Sequence, residues 1–292
     1  MQTVTSFEQN SWESDFSHEE QEHALESLEG GKILLLPKLD FTLQKNETCF
    51  LTPHCLAPKA KNVSYDSKLN RLSGFDGSEA DFDKAELLMQ RFVQSSKALV
   101  KNLLPQYMSF LTVGRTSFRP AVTGERHVSY RKDDRLLHVD AFPATPVRGM
   151  RILRVFTNVN PEGVPRIWNV GEPFEQVVKT FLPHIPKPFV GKHSLMRALQ
   201  ITKKKRSLYD HYMMKIHNSM KKDSDYQKRA IVERLEIPSG ATWVVFSDQV
   251  SHAALSGQYM FEQTFYLPVN AMKNQATAPL RVLESYLGKK LT

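Results

Sequence analysis

The spacing of apolar and polar positions divides the chain into a loop-rich start, a helix, a strand-rich middle, a helical insert and a second run of strands. Near the start, "GKILLLPKL" (31–39) is an apolar run closed by proline and reads as a strand, while residues 40–80 read as loop. "FDGSEADFD" reads as a turn leading into a helix. Leu88, Phe92, Leu99 and Leu103 recur at spacings of 4, 7 and 4, which predicts an amphipathic helix over about 83–104. Asp83 with Glu86 resembles a capping box at its start, and Pro105 stops it. From about 110 to 182 the period shortens. "HVSYR" (127–131), "RLLHVDAF" (135–142), "MRILRVFTNV" (150–159) and "PRIWNVG" (165–171) are candidate strands, separated by the turn-rich "PATPVRG" and "NPEG". A helical insert is expected over about 193–233, where Tyr209, Met213, Ile216 and Met220 form one buried stripe. Strands return in "RLEIP" (234–238), "ATWVVFSD" (241–248) and "GQYMFEQTFYLPV" (257–269), and "LRVLESYLG" closes the chain as helix.

Strands around a helical insert, with turn residues every 8–12 positions, predict an all-β core with added helices (α+β overall), of sandwich or jelly-roll type. The alternation of a doubly wound sheet is absent, as are GxGxxG and P-loop motifs. We read residues 1–292 as one domain. A strand and helix region (1–109) packs on a catalytic core (110–270) that contains the insert, and a C-terminal helix (271–292) follows.

Composition narrows the class. The chain has 292 residues, 41% hydrophobic and 24% charged, enough to bury a core without staples. Cys49 and Cys55 make no disulfide framework and favour a reducing compartment. The polar, acidic start has no signal-peptide pattern and no run is long and apolar enough for a membrane span, so a cytoplasmic location is expected, with peripheral membrane association open. The net charge of +8 favours anionic partners: nucleic acid, acidic lipid or acidic sugar.

The candidate chemistry lies in "RLLHVDAFPATP" (135–146). On a strand, His138 and Asp140 share a face. Two histidines and one carboxylate bind Fe(II) and leave positions open for a bidentate cosubstrate and dioxygen. The distal histidine would be His252 in "WVVFSDQVSHAALSG", which we read as a polar turn after a strong strand, 112 residues beyond Asp140. The helical insert accounts for that separation. A second H-x-[DE] match, "HEE" at 18–20, lies in a polar segment read as surface. His184 lies between prolines, and His211 and His217 lie on the insert. The residues alone leave two readings open: an iron triad, or a polar strand pair with an unrelated loop histidine.

"RKDDRLLHVDAFPATPVRGMRILRVFTNVNPEGVPRIWNVGEPFE", "FSDQVSHAALSGQYMFEQTFYLPVNAM" and "ITKKKRSLYDHYMMKIHNSMK" resemble the bacterial Kdo hydroxylases, over about residues 110–285. These are Fe(II)- and 2-oxoglutarate-dependent dioxygenases that hydroxylate C3 of 3-deoxy-D-manno-oct-2-ulosonic acid (Kdo) in lipopolysaccharide. The resemblance implies a double-stranded β-helix, metal ligands His138, Asp140 and His252, and the cofactors Fe(II), 2-oxoglutarate and O2. It also implies decarboxylation of the cosubstrate to succinate and CO2 as the sugar is oxidised. Many relatives place a cation about ten residues beyond the distal histidine to hold the far carboxylate of 2-oxoglutarate. Here that stretch reads "GQYMFEQTF", where Glu262 has the wrong sign and Gln263 is only a neutral donor. The expectation therefore moves to Arg154 on "RILRVFTNV", with Asn158 and Gln263 as auxiliary donors and Arg151 and Arg166 as competitors.

For an anionic sugar, Arg131, Arg166 and the basic run Lys203, Lys204, Lys205 and Arg206 are candidate contacts, and Trp168 is either pocket wall or core. The basic run reads equally as a membrane-docking patch and as a solvated face. The expected partner is Kdo-containing lipid A, a lipopolysaccharide precursor, with contact to the acidic inner membrane and no nucleic acid. Two alternatives remain: a 2-oxoglutarate oxygenase with another substrate, and a non-enzymatic β-sandwich that binds anions.

Overall fold

The computed structural model describes residues 3–124, 128–143, 145–187 and 206–292. In chain order it runs β1 (Val4–Ser6), α1 (His18–Glu29), β2 (Ile33–Leu36), β3 (Val63–Asp66), β4 (Arg71–Ser73), α2 (Glu79–Leu103), β5 (Thr112–Arg119), β6 (Arg151–Asn158), β7 (Arg166–Val170) and α3 (Phe174–Phe181). The second part comprises α4 (Leu208–Lys222), α5 (Ser224–Arg229), β8 (Glu233–Ile237), β9 (Thr242–Phe246), β10 (His252–Ser256), β11 (Met260–Leu267) and α6 (Pro279–Leu287).

Eight strands form a large sheet in the order β1-β2-β9-β6-β11-β5-β3-β4, and three form a smaller one, β10-β7-β8. Among the described residues only β1 and β2 pair in parallel. This is a jelly roll without a closed barrel. Its interior seam is aromatic: Phe156 stacks on Trp243 at 5.1 Å, and Trp168 meets both rings edge-on. Side-chain alternation on β6 sends Arg154 and Phe156 to this seam. Leu153 and Val155 go to the opposite face, into a core shared with Leu25 and Leu28 of α1 and Leu99 and Leu103 of α2. Arg151 joins that second face. It is fully buried and paired with Asp248, at 2.8 Å from Nε to Oδ2.

The helix expected from residue 83 starts at Glu79. Its capping box is Ser78 with Asp81, not Asp83 with Glu86, because serine presents the short acceptor that the first turn needs. "HVSYR" is not a strand in its described part: Tyr130–Lys132 is a single 3-10 turn. "RLLHVDAF" is not one either; only His138 pairs, in an isolated bridge to His252. Residues 188–205, among them the first part of the insert (193–205) with Lys203, Lys204 and Lys205, lie outside the described part. No helix among the described residues is long and apolar enough to cross a membrane.

Candidate active site

The H-x-D segment lacks a strand ladder, so its backbone groups find other partners. His138 and His252 exchange both backbone hydrogen bonds, at 3.0 and 2.9 Å. Asp140 N donates to Ser247 O at 2.8 Å. Gln227 clamps Leu137 from both sides, accepting from its N–H at 2.8 Å and donating to its carbonyl at 3.1 Å. His217 of α4 bonds Val139 O through Nδ1 at 2.8 Å. The insert therefore acts as a scaffold for this loop. His252, which follows the polar turn after β9, is the first residue of β10.

The bridge sets the two imidazoles side by side, with centroids 4.6 Å apart. His138 Nδ1 lies 2.7 Å from Leu136 O, and His252 Nδ1 lies 2.8 Å from Val250 O. A carbonyl only accepts, so each Nδ1 carries the proton and each Nε2 keeps its lone pair. Asp140 Oδ1 is 3.8 Å from His138 Nε2, and one ligand atom from each of the three residues lies within 4.8 Å of the others. The indole of Trp168 stacks on His252 at 5.0 Å and 17°, and His217 meets His138 edge-on at 5.1 Å.

Electrostatics favour the metal-binding protonation states. Burial lowers the pKa of both His138 and His252, and for His138 the neighbouring His252 and Lys221 add to it. Burial alone would raise Asp140, but the Arg154 guanidinium beside it holds it below the usual carboxylate range. Two neutral imidazoles and a carboxylate result. Asp140 Oδ2 is buried with no hydrogen-bond partner. Its ion pair with Arg154 Nε, at 3.3 Å, lacks hydrogen-bond alignment. This N, N, O donor set, with free Nε2 lone pairs, fits the facial triad of non-haem iron.

A cavity of about 370 Å³ opens beside the triad, within the usual range for small-molecule sites. Eight cationic side chains line it (Lys61, Arg119, Arg131, Lys132, Arg135, Arg154, Arg166 and Lys221) against four carboxylates, Asp133, Asp134, Asp140 and Glu262. Arg154 is bound on both sides, to Asp140 and to Glu262 Oε1 at 3.3 Å. Glu262 Oε2 in turn pairs with Arg119 at 3.1 Å, and Arg119 pairs with Asp134 at 3.2 Å. Arg166, the first residue of β7, differs. It is 4% exposed and has no carboxylate partner among the described residues. Among the described residues its one side-chain hydrogen bond is to Thr123 Oγ1 at 3.1 Å, and its Nε has no partner. Burial, with the like charge of Arg119, pushes its pKa down to about 10. Gly257 lets the stem of Arg166 pass: its φ is +124°, and a Cβ there would stand 2.9 Å from Arg166 Cγ.

Several expected contacts belong elsewhere. Gln263 pairs with Val155 and so faces away from the cavity. Its side chain is taken by Thr116 Oγ1 and Thr264 O, both at 2.6 Å. Asn158 sits at the far end of β6, where its amide donates to Val164 O and Ile237 O. Neither lines the cavity. Arg151 is on the opposite face of β6. Arg131 lies at the exposed rim, with its guanidinium 5.1 Å from the Tyr130 ring centre. Trp168 is both core and wall, with a buried Nε1 that has no partner. His18 of "HEE" opens α1 at the surface. Sequence reasoning missed Arg119, Asp134 and Lys221, whose proximity depends on tertiary folding, and it discounted Glu262.

A jelly roll carrying two histidines and a carboxylate beside a cationic cavity defines the class of non-haem iron(II)- and 2-oxoglutarate-dependent dioxygenases. The 3-deoxy-D-manno-oct-2-ulosonic acid (Kdo) hydroxylase family matches residues 11–290, and the chain belongs to it. It is similar to the crystal structure of the Kdo hydroxylase KdoO, a non-haem Fe(II) α-ketoglutarate-dependent dioxygenase, in complex with α-ketoglutarate and Fe(III). The identity is 45% and the TM-score 0.96, covering 100% of this chain and 98% of that one. The cobalt(II) complex of KdoO matches at 46% identity and TM-score 0.97, covering 99% and 97%. The apo form matches at 45% and 0.97, with the same coverage. No curated protein matches. Family membership makes the chain an Fe(II)/2-oxoglutarate-dependent hydroxylase acting on a Kdo-containing substrate.

Proposed function

We propose that His138, Asp140 and His252 hold the iron, that Arg166 holds the far carboxylate of 2-oxoglutarate, and that the chain hydroxylates C3 of Kdo carried on lipid A. The observation that carries the metal assignment is the pair of imidazoles with Nδ1 tied to backbone, in a cluster where one ligand atom from each of His138, Asp140 and His252 lies within 4.8 Å of the others. When bound, iron(II) supplies the activation of dioxygen that couples decarboxylation of 2-oxoglutarate to insertion of an oxygen atom into a C–H bond. The protein supplies orientation and charge. Arg154 neutralises Asp140 and is itself held by Glu262, so it positions a ligand and is not free for the cosubstrate. A buried guanidinium with no carboxylate partner, as Arg166 is among the described residues, is costly until an anion arrives. Trp168 keeps the ring plane of His252 fixed.

Exposed Arg131, Lys132 and Arg135 around the mouth, together with the net charge of +8, support approach to an acidic membrane surface at the cytoplasmic face, where a lipid-borne sugar would be presented. The test is an anaerobic titration of Fe(II) and 2-oxoglutarate into wild type, His138→Ala and Asp140→Ala, paired with succinate release and a one-oxygen mass gain on Kdo-lipid A. We expect both variants to lose the cosubstrate-dependent absorbance. If both keep it, the ligand assignment is wrong.

A further inference from the structure

The cavity wall holds a second under-served cation, on an element separate from Arg166. Lys221 lies in the last turn of α4, and its side chain is 1% exposed. Among the described residues its nearest polar contacts are long: Asp134 Oδ1 at 3.5 Å and Arg131 O at 3.4 Å. Asp134 is shared with Arg119, whose 3.2 Å contact to Oδ2 is the shorter. An ammonium offers three donors, and a buried one with no partner inside about 3.2 Å is poorly satisfied. Lys221 also borders the triad: it follows His217 by one turn of α4, the His217 ring meets His138 edge-on at 5.1 Å, and Lys221 lines the same cavity as His138, Asp140 and His252.

The sugar's chemistry matches this placement. In a 3-deoxy-oct-2-ulosonic acid the carboxylate is C1 and the carbon without a hydroxyl is C3, two bonds away. A cation beside the metal ligands therefore brings C3 to the metal once it holds the carboxylate. A rim cation such as Arg131 or Arg135 would leave C3 outside. Resting on the substrate reading above, we propose that Lys221 binds the C1 carboxylate of Kdo and so selects C3 as the carbon presented to the iron site. Arg166 on β7 and Lys221 on α4 then hold the two anions, cosubstrate and sugar acid, at once.

The experiment compares Kdo-lipid A with its Kdo C1 carboxamide, on wild type, Lys221→Met and Lys221→Arg. Charge-assisted hydrogen bonds of this kind are worth tenfold or more in affinity. In wild type, KM should rise about tenfold or more from acid to amide. Lys221→Met should show a similar rise with the acid and little further change with the amide, the sign of a shared interaction. Lys221→Arg should recover most of the loss. The anaerobic Fe(II)/2-oxoglutarate absorbance of Lys221→Met should match wild type, which reports an intact fold and cosubstrate site. If Lys221→Met discriminates acid from amide as strongly as wild type, the assignment is overturned. Should Lys221→Met fail to fold, Lys221→Gln makes the same comparison. A wild type that hydroxylates neither lipid would overturn the substrate reading instead.

Discussion

At the residue scale, Arg119, Arg154 and Arg166 line one cavity, are chemically alike and differ chiefly in company. Arg154 and Arg119 each bridge two carboxylates, whereas Arg166 has a threonine hydroxyl. Removing Arg166 should therefore disturb a ligand more than the fold. We expect Arg166→Met to weaken 2-oxoglutarate binding by about 100-fold, the loss of two charge-assisted hydrogen bonds, while Fe(II) binding persists. Anaerobic titration measures both. A variant that binds 2-oxoglutarate normally would return the role to Arg154.

At the element scale, α4 works as a bracket. Ser207 caps it and Asp210 completes the capping box, but Asp210 Oδ1 also accepts from the N–H groups of Val147 and Arg148, at 2.9 and 3.0 Å. Ser207→Ala should cost about 1 kcal/mol, the usual value of a cap. Asp210→Ala should cost more, roughly 2–3 kcal/mol, since it also strands two backbone donors. Denaturant unfolding separates the two, and equal losses would show that the bracket carries no load. Regular strands were legible: "RILRVFTNV", "PRIWNVG", "TWVVF" and "MFEQTFYL" all form, because each alternates or runs apolar against a buried seam. His138, Asp140 and His252 were legible as candidates, but residue types and spacing left their convergence open, since 112 residues of separation fix no distance. The form of "RLLHVDAF" was not legible. Leu137 and Val139 are buried as in a strand, but the segment's hydrogen bonds go to Gln227, Ser247 and His252, which are distant in sequence. Alternation placed Arg154 on the right face of β6, yet no local pattern revealed that Asp140 and Glu262 occupy it.

For the whole molecule, the surplus of positive charge and the cationic mouth act together over distances that salt can screen. The Debye length shortens from about 10 Å at 0.1 M to about 3 Å at 1 M. We expect sedimentation with vesicles rich in anionic phospholipid at low salt and release as NaCl rises towards 1 M, with neutral vesicles binding poorly throughout. Equal retention on both vesicle types would exclude electrostatic docking.

The Nδ1 bonds of His138 and His252 fix both rings before any ion arrives. A rigid N, N, O face cannot remodel itself to reject a competing divalent ion, and the Irving–Williams order ranks Co(II), Ni(II), Cu(II) and Zn(II) above Fe(II). Occupancy should then follow supply rather than preference. Elemental analysis of protein produced in zinc-supplemented medium should find zinc in the site, with little hydroxylation until it is stripped and ferrous iron restored under reductant.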